Sequence, residues 1–303
     1  MSSTKNHSPE DLEALRQAYI KIRQGKDSRR FGARTMAALE QMLNEPHETA
    51  IKSISEIAQE HGISTSSLTR MAQRMGFNGF PGLRALFEQN LRQRKGFYSK
   101  QVENFLQRKH VYDNTESDLL GQIIQDEWSN VMFMFENFED ERFAATIDLI
   151  VKAKRVTIIG LRSSYLLAYY LGFYLRLIRD AVSTAGQAGH TLAEDLSLLH
   201  RGDLLIAISL KPYTKNTVDA CRIARKQKVD IVAITDSVSS PLASETNNFL
   251  ITPVEKEYFF TPIAAAIIGI ETILSAVVKR LGEQASRKLK HTEYILEKME
   301  IET

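Results

Sequence analysis

Ile54 to Met75, ISEIAQEHGISTSSLTRMAQRM, reads as two short helices around a glycine. Ile57 and Ala58 fall on the inner face of the first helix, Gly62 makes the turn, and Ile63, Leu68 and Met71 return to the same small core. A turn of about three to four residues that holds a glycine lets two helices cross steeply, so the second projects as a separate rod. Such a rod fits the major groove of DNA. Ser64 or Thr65 is placed to cap it, and its outward positions carry Ser64, Thr65, Ser66, Ser67, Thr69, Arg70, Gln73 and Arg74. Hydroxyls, an amide and two guanidiniums bond phosphates and base edges. An ordinary solvated helix is also polar outside, but it rarely lacks carboxylates. None occurs between Ile63 and Met75. These eight residues are the candidate DNA contacts.

Charge agrees with that placement. The 303-residue chain has a net charge of +2, yet up to Tyr112 it holds 18 basic against 11 acidic residues, and beyond it 21 against 26. The half that meets a polyanion is the N-terminal one. With 43% hydrophobic and 25% charged residues the composition is globular and long enough for two domains. One cysteine, Cys221, excludes an internal disulfide and a multi-cysteine metal site, and its helical neighbours make it a packed small residue. No apolar run, Ile263 to Ile268 included, reaches membrane-spanning length, and the N-terminus has no apolar signal core. A cytoplasmic protein without membrane, metal or cofactor is expected.

Around the central motif, Leu12, Leu15, Tyr19 and Ile22 give one apolar helix face. Asp27 or Ser28 is expected to cap a second helix, through Phe31, Met36, Leu39 and Leu43, that stops near Asn44 and Pro46. Gly76, Gly79, Pro81 and Gly82 are expected to break the chain, with Phe77 and Phe80 plugging the bundle, before a helix resumes from Leu83 to Leu91. Arg92, Arg94, Lys95, Lys100, Arg108 and Lys109 then make a basic stretch, either a second phosphate contact or, more commonly, a wet helix face. Glu116 to Met134 and Phe143 to Val151 are helical. Trp128, Phe133, Phe135, Phe138 and Phe143 lie among Glu136, Glu139, Asp140 and Glu141, which suits core or dimer packing and not base stacking.

The period changes at Arg155. Short β-branched runs at Arg155–Ile159, Leu204–Ile208, Val229–Ile234 and Asn248–Thr252, with a further short one at Val182–Thr184, alternate with helices at Ser163–Ile178 and Thr214–Gln227. That alternation predicts a parallel sheet with helices on both faces, whose ligands bind beyond the carboxyl ends of the strands. Gly160, Arg162, Ser163 and Ser164 follow the first strand, Ser209, Lys211 and Thr214 the second, and Thr235 ends the third. Hydroxyls and helix-start N–H groups there form a phosphate cradle, although Ser and Thr also cap helices everywhere.

The helix-turn-helix followed by GFNGFPGLRALF, a helical linker and this α/β half resembles the RpiR family of bacterial transcriptional regulators. The resemblance implies an all-α N-terminal domain over 1–90, a linker over 91–130, a sugar isomerase (SIS) domain over 131–285 and a helical tail over 286–303. It also implies a homodimeric or homotetrameric regulator of carbohydrate genes that binds double-stranded DNA and senses a phosphorylated sugar. SIS domains that bind sugar phosphates tend to show Gly-x-Gly-x-Ser and Ser-x-Ser-Gly-x-Thr. Here Gly160, Ser164, Ser209 and Thr214 match, whereas Arg162, Lys211 and Pro212 depart. Two other readings stay open: an isomerase with His190, Glu194 or Glu271 as base, and a DNA-binding protein whose SIS domain only assembles it. Since the N-terminal half already supplies an output for ligand binding, a sensor without turnover is the expected activity. Ile263 to Val278 reads as core or interface, and Leu289, Tyr294, Ile295 and Met299 as one face of a last helix.

Overall fold

The computed structural model describes residues 8–94, 97–107, 115–186, 191–256 and 258–301. Lys95, Arg108, Lys109 and the candidate base His190 lie outside them. The chain divides into two compact units, 1–100 and 101–303, each with its own core.

The first unit is a helical bundle: α1 (Leu12–Arg23), α2 (Ala33–Asn44), α3 (Pro46–Ile51), α4 (Ile54–Glu60), α5 (Thr65–Arg74) and α6 (Gly79–Arg94). Its core joins Leu15, Leu39, Ile57, Leu68, Met71, Phe80, Leu83 and Phe87. Three expectations are corrected. The cap of α2 is Gly32; Asp27 instead accepts from Arg29 through backbone and guanidinium, which holds its carboxyl down at about 2. The short helix α3 follows where the sequence pattern only stops, and Thr49 within it bonds back to Met42 O (3.1 Å). The chain is also not broken as far as Gly82. Pro81 and Gly82 lie in the first turn of α6, where N–H groups have no intrahelical acceptor and proline removes nothing. α4 opens with a capping box, Glu56 N–H to Ser53 Oγ (3.2 Å) and Ser53 N–H to Glu56 Oε2 (2.7 Å).

α7 (Phe97–Gln107) straddles the division, and the second unit goes on with α8 (Glu116–Glu136), α9 (Asp140–Lys152), β1 (Val156–Gly160), a 3-10 turn (Arg162–Ser164) and α10 (Tyr165–Ile178). It continues with β2 (Val182–Thr184), α11 (Leu192–Ser197), β3 (Leu204–Ile208), α12 (Lys215–Lys226), β4 (Asp230–Thr235), β5 (Phe249–Ile251), α13 (Ala264–Leu281) and α14 (Glu283–Lys298). The five strands are all parallel, in the order β2-β1-β3-β4-β5. Alternate side chains serve two cores. Val156, Ile158, Ile206 and Ile234 pack with α9, α10 and α13, while Ile159, Leu205, Ala207 and Ile231 pack with α11 and α12. Cys221 is fully buried in the second core, and burial pushes its thiol up. Ile270, Ile273 and Val277 place α13 in the domain's own core, although Ile268 and Val278 remain exposed.

A core reading of the aromatic cluster fails for Trp128, Phe133 and Phe135, which are exposed by 64%, 52% and 73%; only Phe138 and Phe143 pack on the core. α8 carries two polar side chains that reach the loop between β5 and α13. Glu127 accepts from Ile263 N–H (3.1 Å), Ala264 N–H (3.0 Å) and Tyr258 OH (3.2 Å), so a carboxylate sits at the start of α13. Asn130 accepts from Glu255 N–H (3.0 Å) and donates to Glu255 O (2.7 Å). Lys256 in the same loop, half-buried, donates to Gln101 Oε1 (3.1 Å) and Phe259 O (2.5 Å).

Burial lowers the Lys256 ammonium from 10.5 to about 8. Below that value both folded and unfolded chains are protonated, and the fold bears the cost of desolvating a cation. Above it the unfolded chain holds the extra proton, so this residue's contribution to stability rises with pH until the unfolded group also titrates. Urea unfolding from about pH 7 to pH 10.5 is expected to show a less positive slope for Lys256→Met than for the unaltered chain.

Candidate DNA-reading helix and effector site

Gly62, at φ 58°, turns the chain from α4 into α5, and the Arg34 guanidinium lies 3.4 Å from its carbonyl oxygen. Ser64 is the cap of α5. Its Oγ accepts from Ser67 N–H (3.2 Å) and is 2.8 Å from Ser66 Oγ and 2.9 Å from Ser67 Oγ. Thr69 donates to Thr65 O (3.0 Å), and the Arg74 guanidinium lies 4.9 Å from the centre of the Phe31 ring. Leu68, Met71 and Ala72 are buried, so α5 exposes one polar face. The eight predicted contacts thus separate by what they do locally. Ser64, Ser66, Ser67 and Thr69 shape the helix start, Arg74 stacks on Phe31, and Thr65, Arg70 and Gln73 present exposed side chains. Phe31, which the sequence places only in the apolar pattern of α2, is also a platform for an arginine of the polar face of α5.

In the second unit Gly160, Ile208 and Ile234 are register partners on β1, β3 and β4, so the three predicted loops leave the sheet side by side. Gly160 is required there by space. A Cβ at that position would lie 2.5 Å from Ser164 O and 2.9 Å from Ala168 Cβ. Arg162 takes φ 57°, the left-handed conformation in which glycine is at ease. Arginine thus stands at the pattern's glycine position in a backbone shape that glycine adopts readily. Ser163 is exposed and Ser164 buried. The helix expected from Ser163 begins instead with the 3-10 turn, and α10 follows from Tyr165.

On the second loop Ser209 is almost fully buried, and its Oγ accepts from Thr214 N–H (3.2 Å). Thr235, also buried, donates to Ser209 O (2.9 Å). The Lys211–Pro212 peptide is cis. Lys211 Nζ is 3.9 Å from Asp236 Oδ2, and Tyr213 OH donates to the same oxygen at 3.1 Å. Asp236 and Tyr213 are not among the residues that sequence reasoning selects. The signal for Asp236 is a carboxylate placed directly after an apolar strand at the ligand edge, and the adjacent threonine, a hydroxyl, masks it.

The candidate bases within the described residues lie on helices and not on these loops. Glu194 is exposed on α11, and Glu271, exposed on α13, accepts from Tyr170 OH (3.0 Å) on α10. An apolar cavity of ≈ 270 Å³ lined by Phe133, Met134, Phe143, Phe249 and Leu250, among others, contains none of the predicted effector residues. Among the described residues no group of three or more His, Cys, Asp or Glu is placed to hold a metal ion, and no helix is long and apolar enough to cross a membrane.

Two family models match this chain in the same order as its two units: the helix-turn-helix domain of the rpiR family over residues 30–94 and the SIS domain over 149–279. An HTH-type transcriptional regulator of Clostridium perfringens is 23% identical over 253 residues, which are 81% of this chain and 87% of the relative. Among solved structures, the sugar isomerase domain of an RpiR transcription factor from Sphaerobacter thermophilus is 24% identical with a TM-score of 0.56, covering 58% of this chain and 98% of that one. The Vibrio vulnificus NanR protein complexed with ManNAc-6P is 18% identical with a TM-score of 0.54, covering 93% of this chain and 98% of that one. Those two likenesses show the fold. The order of modules defines a helix-turn-helix transcriptional regulator carrying a sugar-phosphate-binding type of domain. The chain thus joins a helix-turn-helix domain of the rpiR family to a SIS domain.

Gly160→Ala tests whether the first loop depends on close approach. A methyl group against the Ser164 carbonyl and Ala168 is expected to destabilise the fold by about 1–3 kcal/mol, read as a lower urea midpoint.

Proposed function

We propose that the protein is a cytoplasmic, homodimeric or homotetrameric regulator of carbohydrate genes. It reads an operator with α5 and senses a sugar phosphate at the carboxyl edge of its parallel sheet. The observation that carries the first half is the exposed, carboxylate-free face of α5, where Thr65, Arg70 and Gln73 stand clear of a fully buried Leu68 and Met71. The second half rests on the three loops that leave β1, β3 and β4 in register, with Ser209, Thr214 and Thr235 in one hydrogen-bonded set. The SIS domain type supports the reading, as does the complex that the similar NanR protein forms with ManNAc-6P.

The mechanism is linkage. In a dimer the spacing of two reading helices depends on how the C-terminal domains pair. An effector that prefers one pairing shifts the population toward or away from the DNA-competent arrangement by no more than its differential affinity. The reading leaves turnover out, in keeping with Glu194 and Glu271, candidate bases that are exposed helix residues outside the strand-end loops.

Fluorescence anisotropy on the DNA upstream of the protein's own gene, with excess competitor and a panel of sugar phosphates, tests both halves. Specific binding that one compound weakens or strengthens is the expected result; specific binding indifferent to every compound overturns the sensing half. Arg70→Ala is expected to lose about 1–3 kcal/mol of discrimination if the guanidinium meets a base, and to weaken all sequences alike if it meets a phosphate.

A further inference from the structure

The third loop of the effector site sets an anion of its own against the second. Asp236 stands at the end of β4 with its side chain only 3% exposed, and its carboxylate faces the two groups that would otherwise attract a phosphate, the Lys211 ammonium (3.9 Å) and the Tyr213 hydroxyl (3.1 Å). Other groups around it are engaged within the protein or missing. Ser209 Oγ accepts the Thr214 N–H, Thr235 Oγ1 donates to Ser209 O, and Pro212 contributes no N–H. The positive charge that Lys211 brings in place of a serine is therefore offset by a carboxylate a few ångströms away.

We infer that Asp236 is the specificity-determining residue of this site. From the third loop it holds a built-in carboxylate against the second, so that an effector's phosphate is excluded from Lys211 and Tyr213 and meets the first loop, where Arg162 is exposed. This rests on the proposed effector site and deepens it. A dianion placed beside a poorly solvated carboxylate meets like-charge repulsion that little water screens. A neutral hydroxyl meets the opposite, an acceptor already oriented by two donors. The second loop thus suits the hydroxyl-bearing end of a sugar, and the phosphate end is turned away from it.

Inorganic phosphate is the probe, and thermal unfolding of the full-length protein with increasing phosphate is the measurement, with circular dichroism to check each fold. Asp236→Asn keeps an oxygen for Tyr213 and removes the charge. It is expected to bind phosphate about tenfold tighter or more than the unaltered chain. Adding Lys211→Met to it is expected to abolish that gain, whereas Lys211→Met alone changes phosphate affinity by less than about twofold, because the ammonium is already committed to Asp236. Unchanged or weaker phosphate binding in Asp236→Asn overturns the inference, as does a large loss in Lys211→Met alone. The two readings fail separately. A gain in Asp236→Asn with no sugar phosphate altering DNA binding leaves the role of Asp236 intact and removes the sensing function. A sugar-phosphate response without that gain does the reverse.

Discussion

A parallel sheet hydrogen-bonds its central strands on both sides and has two faces to cover. β1, β3 and β4 are buried along almost their whole length, and apart from Thr157 and Thr235 their buried side chains are apolar. Covering both faces with helices closes all the approaches to these strands except their ends. What the sheet leaves open is its carboxyl edge, where chain must turn from strand into helix and where N–H groups and small polar side chains collect. The site is in this sense a by-product of the packing problem. Its three loops are neighbours because Gly160, Ile208 and Ile234 are register partners, and their register follows from which side chains must point to which core.

The helical unit meets a different constraint. α5 is short, and only Leu68, Met71 and Ala72 hold it to the bundle. The rest of it is exposed or only partly covered. A helix with so narrow an apolar stripe is stable because its start is tied down, by Ser64 receiving the Ser67 N–H, and because Gly62 sets its angle of entry. The same economy leaves one long side free for another macromolecule.

Strand positions and the helix-turn-helix are legible in sequence because each obeys one strong rule: apolar runs of strand length between helices, and a glycine between two amphipathic turns. The misreadings have a common cause. Asp27 looks like a helix cap, but capping depends on where the next turn begins, and Arg29 two residues on captures the carboxylate. Pro81 looks like a breaker because the rule concerns helix interiors, and this proline lies in the first turn. α3 and α11 escape notice since six residues carry too little periodicity to see. At the ligand edge the loops stand out by their hydroxyls, whereas Asp236 becomes visible only through its distances to Lys211 and Tyr213, residues at least 23 positions earlier. Arg162 shows the limit from the other side: sequence treats it as a lost glycine, yet its backbone is in the left-handed conformation that glycine adopts readily.

Glu127 and Asn130 are three positions apart and so lie on one side of α8, and between them they make five hydrogen bonds to residues 255–264. In mechanical terms that turn of helix is a clamp, and α8 is a beam fixed at the clamp rather than a flexible tether. Any force that reshapes the loop before α13 must either open five bonds together or carry the beam with it. The helix thus keeps its registry with the loop that leads into α13.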